Sequence, residues 1–242
     1  MRMLTYGTIE YVIYKRLFAF IISLFYLSAC ATTPLPPLLS DLLTRSPSGT
    51  QEMIAFLYYD EQGARLVSSL SVSADRPLPL DPPERQVWIG GLDPPADIPL
   101  TNEAGVQYGL VIAQGNWQSA GNYGPGGQWP YTLVTPSFQS ITPDRVELAQ
   151  LFNDNRYEGR LVQMRAALLL ADGTSLLVDS IGAGGIPAAG ARQVKLLHGE
   201  SDQAALSQLQ ARGNVRYGYV DVIGVWRQGR LEPLLIRPLP SE

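Results

Sequence analysis

The chain has 242 residues and is acidic, with 18 Lys and Arg against 22 Asp and Glu and a net charge of −4 at neutral pH. This balance argues against nucleic acid as a partner, because binding to a phosphate backbone depends on clustered Lys and Arg. A single histidine, His198, and a single cysteine, Cys30, leave no multi-His metal site and no internal disulfide. The sequence predicts neither a metal nor a cofactor.

The N-terminal segment has the pattern of a secretion signal. Two cations, Lys15 and Arg16, precede an apolar run over residues 17–27, which leads into Leu27-Ser28-Ala29-Cys30. A signal peptide requires a positive segment, an apolar core of roughly 7–15 residues and small residues at the cleavage site. The alternative is a plain membrane span, but the apolar stretch over residues 11–27 is near the short limit for one.

The tetrapeptide Leu27-Ser28-Ala29-Cys30 resembles the lipobox of bacterial lipoproteins. The resemblance implies that residues 1–29 are a signal peptide and that the thiol of Cys30 receives a diacylglycerol. Two or three acyl chains attach a protein stably, since each buried methylene contributes about 0.8 kcal/mol. The expected location is the extracytoplasmic face of the cell membrane or outer membrane, with the membrane itself as a partner through the lipid.

The remaining chain contains an internal repeat. Residues 106–117 (VQYGLVIAQGNW) and 215–226 (VRYGYVDVIGVW) are identical at six of twelve positions, at an offset of 109. Three shorter matches follow the same order at similar offsets, which indicates a duplicated unit. The predicted organisation is a Pro/Ser/Thr-rich extended tether over 30–49, a first repeat over 50–137, a helical connector over 138–156 and a second repeat over 157–240.

The elements of the second repeat can be predicted in order. Alternating and β-branched residues predict strands over 161–170, 175–180, 193–197, 215–226 and 231–237, and an apolar stripe predicts a helix over 202–212. In the first repeat Pro94, Pro95 and Pro99 replace this helix by an irregular loop. In the connector, Thr142 is the expected helix cap and Pro143 the first-turn residue.

Three strands, a helix and two strands resemble the OB-fold, a small five-stranded Greek-key barrel. The predicted fold class is therefore mainly β, with two tandem five-stranded OB-like barrels and a short connecting helix. A two-sheet β-sandwich is the alternative. Gly218 and Gly224 would let a long fourth strand bend around a small barrel.

The loop over residues 121–130 is the candidate ligand-binding site, because the second repeat has only four residues in the equivalent place. OB-folds commonly bind ligands with this loop. Tyr123 and Trp129 are predicted to stack on a sugar or peptide, and Asn122 and Gln128 are further candidates beside them. The alternative is a flexible insertion without a ligand. The aromatic residues that recur in both repeats are predicted to pack in the core: Trp117, Trp226, Tyr108 and Tyr217.

No nucleophile motif such as Gly-x-Ser-x-Gly accompanies His198, so the sequence favours a protein that is not an enzyme. The predicted function is that of a non-catalytic, membrane-anchored binding or scaffolding module of the cell envelope. Its expected partner is an envelope protein, a peptide or a glycan. The alternatives are a hydrolase that uses paired carboxylates and a structural spacer without a small-molecule ligand.

Overall fold

Two rings of five strands, one from each repeat, form the framework of the protein. The computed structural model describes residues 34–72, 76–119, 121–171, 173–197 and 207–240. The predicted signal peptide, Cys30 and His198 lie outside these residues. None of the helices in the described ranges is long and apolar enough to cross a membrane.

Barrel 1 is a closed ring. Its strands are β1 (Gly49–Asp60), β2 (Gly63–Val67), β5 (Val87–Gly90), β7 (Val106–Gln118) and β8 (Tyr131–Ser140). They follow the order β1-β2-β5-β8-β7, and β7 returns to β1 along eleven paired residues from Gly49–Trp117 to Tyr59–Gln107. The third and fifth strands, β5 and β8, run parallel and the other neighbours antiparallel.

Barrel 2 repeats this order. Its strands are β10 (Leu161–Ala171), β11 (Thr174–Val178), β12 (Gln193–Leu196), β14 (Val215–Arg227) and β15 (Arg230–Pro238). The third and fifth strands, β12 and β15, are again the parallel pair, and β14 again pairs with β10. The predicted fold class of two OB-like barrels is confirmed, and each predicted strand of the second repeat differs from the observed one by no more than two residues at either end.

A short strand is added to the long fourth strand of each barrel. In barrel 1, β6 (Thr101–Glu103) pairs with β7; in barrel 2, β13 (Gln210–Arg212) pairs with β14. The helix predicted over 202–212 is therefore wrong at its end, because Gly213 adopts φ +60° and turns β13 back onto β14. Residues 198–206 lie outside the described ranges. The irregular loop predicted at Pro94, Pro95 and Pro99 is confirmed.

Each barrel is preceded by a short helix whose leucines enter the barrel interior. Helix α1 (Leu39–Leu43) buries Leu39 and Leu42 in barrel 1, and α2 (Leu148–Asn153) buries Leu148 and Leu151 in barrel 2. The two pairs are 109 residues apart, which is the offset of the sequence repeat. The duplicated unit thus begins with its helix, and the predicted connector is the first element of the second repeat.

The predicted cap of the connector helix is wrong. The helix begins after Glu147, whose side chain accepts a hydrogen bond from the Gln150 amide, while Gln150 Oε1 accepts one from Glu147 N at 2.8 Å. Thr142 and Pro143 lie ahead of it, because β8 continues to Ser140 and β9 (Asp144–Arg145) pairs with β10. The reciprocal bonds between Glu147 and Gln150 satisfy two amides at the start of the helix.

The described part of the predicted tether differs from an extended linker. Leu38 and Leu39 are buried in the core, and Ile54 N donates to Pro37 O at 2.9 Å. Leu35 is the first residue of the compact unit that contains both barrels. The described residues 35–49 are therefore part of that unit and not an extended tether.

Strand β1 is buried on both faces, and this joins the barrels. Met53, Ala55 and Leu57 point into barrel 1, whereas Ile54 and Phe56 belong to a second cluster, the interface core. Barrel 2 contributes Leu161, Val225, Leu234 and Leu235 to the interface core. A hairpin of barrel 1, β3 (Leu70–Val72) and β4 (Pro77–Pro79), extends this contact because β3 pairs with β15. The two repeats consequently form one compact unit.

The glycines shared by the repeats mark places where the backbone comes close to a neighbour. Gly115 and Gly224 lie at shifts in register between the fourth and fifth strands of their barrels. A Cβ atom on Gly224 would lie 2.5 Å from the carbonyl oxygen of Glu232. The prediction that this glycine serves a bend in the fourth strand agrees with this geometry.

The described 3-10 turns are Pro83–Arg85, Pro125–Gly127, Asn155–Tyr157 and Ala183–Gly185.

Candidate functional site

The loop predicted to bind a ligand is closed by its own backbone. Tyr123 N donates to Trp129 O at 2.9 Å, and Trp129 N donates to Tyr123 O at 3.4 Å. Between them, Gly124 adopts φ +72°, and a Cβ atom there would lie 2.3 Å from the Trp129 ring. The loop therefore lies directly on this indole, and glycine is required for the approach.

Trp129 is part of the core. Its side chain is 1% exposed, and its ring stacks on Trp88 with a centroid distance of 4.8 Å and an angle of 22°. The indole Nε1 donates to Gln86 Oε1 at 3.2 Å. This burial does not fit the prediction that Trp129 stacks on a ligand. Tyr123 is half-buried and Asn122 and Gln128 are exposed, so their part in binding stays a prediction.

A buried arginine supports Trp129 from a different direction. Arg65 is 3% exposed, and its guanidinium carbon lies 5.3 Å from the Trp129 ring centroid and 5.2 Å from that of Tyr58. Its Nη2 bonds Asp60 Oδ2 at 2.6 Å, and its Nη1 donates to Gln62 Oε1 at 2.6 Å. A guanidinium between two aromatic rings with a paired carboxylate is a stable buried arrangement. The cluster fixes the loop and leaves no space for a ligand at Trp129.

A cavity of about 420 Å³ lies where barrel 1, α1 and β15 meet. Its apolar wall consists of Leu70, Leu80, Pro82, Leu197, Pro233, Leu234, Leu235 and Ile236. Its polar wall consists of Ser40, Asp41, Thr44, Ser68, Ser69, Asp81, Arg85 and Glu232. We call it the inter-barrel cavity. Both repeats contribute to it, and its size is within the range of small-molecule sites.

Asp81 is a half-buried carboxylate of this cavity. Its Oδ2 accepts hydrogen bonds from Ser68 N at 2.7 Å and from Ser69 N at 3.3 Å. Burial raises the pKa of Asp81, while the two amides and the charge of Arg85 act in the opposite direction. The ionised form is thus stabilised by two amides in direct contact and, less strongly, by the charge of Arg85.

Two serines of the cavity lining have buried hydroxyl groups. Ser68 is 6% exposed, and its Oγ is close enough to Asp81 to help lower the pKa of that carboxylate, although the geometry of a direct hydrogen bond is poor. The Oγ of Ser40 is buried without a partner among the described residues. A buried polar group without a partner costs about 1–3 kcal/mol. Both oxygen atoms are covered, so neither faces the open space of the cavity.

The other two carboxylates of the inter-barrel cavity are paired. Arg227 Nη2 lies 3.4 Å from Asp41 Oδ2, and its Nη1 lies 3.3 Å from Glu232 Oε2. Asp41 and Glu232 therefore share one guanidinium. Within the described residues no three His, Cys, Asp or Glu side chains are arranged to hold a metal ion.

Residues of barrel 2 line two further clefts. One, of about 610 Å³, is lined by Tyr217 and Tyr219 among others, and one of about 630 Å³ is lined by Arg145 and Asp221. Arg165 is exposed and lines both clefts, and its guanidinium carbon lies 5.4 Å from the ring centroid of Tyr219.

Sequence reasoning missed the inter-barrel cavity entirely. Ser40, Asp81 and Glu232 come from distant parts of the chain and match no motif. The one available signal was the apolar run at residues 53–59, whose two buried faces imply a partner outside the barrel.

Comparisons with protein-family models, with curated proteins and with solved structures found no match for this chain.

Proposed function

We propose that this protein is a lipid-anchored binding module of the cell envelope, and that the inter-barrel cavity is its ligand site. The anchor is the lipid on Cys30, which holds the barrels at the extracytoplasmic face of the cell membrane or outer membrane. The observation that carries the binding role is the cavity itself, which residues of both barrels line. Its ligand is an envelope peptide, glycan or small molecule, or a segment of an envelope protein.

A non-catalytic role is supported by the contacts that the cavity carboxylates already make. Asp41 and Glu232 both form ion pairs with Arg227, and the Asp81 carboxylate accepts hydrogen bonds from two backbone amides. A hydrolase that uses paired carboxylates is the alternative.

The anchor is tested by labelling a bacterial host with radioactive palmitate. The wild-type chain should incorporate label, and Cys30→Ser should not, because serine lacks the thiol that forms the thioether. Ser28→Ala is the matched control, since it keeps a small residue before the cleavage site and should retain the label. Label retained in Cys30→Ser would rule out this anchor.

The ligand site is tested with the lipidated full chain in detergent. Ligand-observed NMR against a panel of amino acids, amino sugars, short peptides and oligosaccharides should give hits with wild type. Ser40→Leu should abolish them, because leucine occupies space in the inter-barrel cavity. Tyr123→Ala is the matched control in the 121–130 loop and should keep them. Hits that persist in Ser40→Leu and are lost in Tyr123→Ala would instead place the site in the 121–130 loop.

A further inference from the structure

The carboxylate of Asp81 is oriented by its backbone contacts. Both amide bonds fall on Oδ2, so they leave Oδ1 for other donors. The backbone of Asp81 is also held, because Gln86 Nε2 donates to the Asp81 carbonyl oxygen at 2.6 Å. Arg85 acts on this carboxylate through its charge. A fixed carboxylate at the wall of a cavity is a strong acceptor for a ligand donor.

The charges around the cavity favour a cation. The lining contains three carboxylates, Asp41, Asp81 and Glu232, and one guanidinium, Arg85. Arg227 adds a second cation, but it is shared by Asp41 and Glu232. Among the described residues, three carboxylates thus face two guanidiniums at this cavity, which disfavours an anionic ligand. A purely apolar ligand would add no donor to the Asp81 carboxylate while removing it from water.

We infer that the inter-barrel cavity binds a protonated primary amine, which donates to Asp81 and carries a compact apolar body against the leucine and proline wall. An ammonium group provides donors and no acceptor, which suits a carboxylate acceptor such as Asp81. The inference rests on the proposed function, because it names the chemistry of the same site. The amine is supplied either by a free small molecule or by the lysine side chain of a peptide.

The experiment is titration calorimetry on the lipidated full chain in detergent, with four probes. 2-Phenylethylamine is compared with 2-phenylethanol, which has the same ring and spacer but no charge. Nα-acetyl-lysine methylamide is compared with its norleucine analogue in the same way. The amine of at least one pair should bind, and its neutral analogue should bind about tenfold more weakly or less, since a charge-assisted hydrogen bond is lost. The pair that binds more tightly identifies the source of the amine.

Asp81→Asn keeps the shape of the side chain and an acceptor for the Ser68 and Ser69 amides, and it should weaken amine binding about tenfold or more. Asp97→Asn is the matched control, because it makes the same charge change at an exposed carboxylate outside the cavity. Circular dichroism of both variants checks that they are folded.

Equal binding of amine and alcohol, or unchanged amine binding by Asp81→Asn, would overturn the amine inference and leave the cavity as the ligand site. Absence of amine binding would also overturn it. Failure of the proposed function is a different result, in which panel hits persist in Ser40→Leu.

Discussion

At the scale of single residues, the surroundings of a side chain decide whether it serves the core or a ligand. Trp129 lies in a glycine-rich loop, which is typical of a binding loop. Its burial depends on Trp88, Gln86 and Arg65, which are far away in the sequence. The loop could be identified from the sequence, but the direction of its tryptophan could not.

Replacing Trp129 tests its role in the core. Trp129→Ala should lower the free energy of unfolding by about 3–5 kcal/mol, because it removes a fully buried ring and leaves a cavity. Urea denaturation measures this loss. Gln128→Ala, the adjacent exposed position, should change it by less than about 0.5 kcal/mol. Similar values for the two variants would show that Trp129 is not packed as described.

Asp81 predicts a dependence of stability on pH. Burial raises its pKa above the unfolded value of about 3.9, so the folded state binds the proton more tightly. The folded form therefore loses stability as the pH rises from about 4 through the folded pKa. Urea unfolding at several pH values should show that the free energy of unfolding of wild type falls relative to that of Asp81→Asn as the pH rises. The difference in free energy of unfolding between wild type and Asp97→Asn should show no such fall. A difference between wild type and Asp81→Asn that does not change with pH would contradict the prediction.

At the scale of elements, strands were predictable from sequence and helix ends were not. Alternation of apolar residues is local, so the five strands of barrel 2 could be found with nearly correct bounds. The helix ends depended on pairing with the next strand along the chain. Thr142 and Pro143 are a good helix start in isolation, but β9 occupies the next residues. Residues 210–212 follow the apolar stripe of the predicted helix and yet pair with β14.

The bend in β14 can be tested at its glycine. Gly224→Ala should destabilise the protein by about 2 kcal/mol or more, because the new Cβ meets the backbone carbonyl of Glu232, which cannot rotate away. Gly182→Ala is the matched control, since its nearest neighbour would be the Ile186 carbonyl oxygen at 3.7 Å, an ordinary contact. Thermal unfolding followed by circular dichroism compares them. Equal melting temperatures would exclude a close approach at Gly224.

At the scale of the whole molecule, the sequence repeat indicated two similar parts but not how they are joined. The interface core and an ion pair between Arg237 Nη2 and Glu103 Oε2 at 3.0 Å link the barrels. Arg237 also bonds the Tyr108 hydroxyl. Because these contacts join residues more than a hundred positions apart, periodicity within one repeat could not reveal them. The inter-barrel cavity was hidden for the same reason.

The shared core predicts that the barrels unfold together. Native-state hydrogen exchange should give amides of β1 and β10 similar free energies of opening, because each barrel supports the other through the interface core. Leu235→Ala, within that core, should lower both values by about 2–5 kcal/mol.

The matched control for this prediction is Leu78→Ala, an exposed leucine of β4, which should leave both values nearly unchanged. If Leu235→Ala lowered hydrogen-exchange protection in barrel 2 alone, the barrels would be independent folding units.

The hairpin β3–β4 affects whether neighbouring molecules of this protein can pair their strands. It covers the part of β15 that β12 leaves open, and its outermost strand begins and ends with proline, at Pro77 and Pro79. Prolines have no amide hydrogen to offer, so this border of the sheet is a poor template for strands from neighbouring molecules. Lipid anchoring would concentrate many copies in a thin layer at one surface. A sheet closed in this way lets the molecules remain separate at high local density.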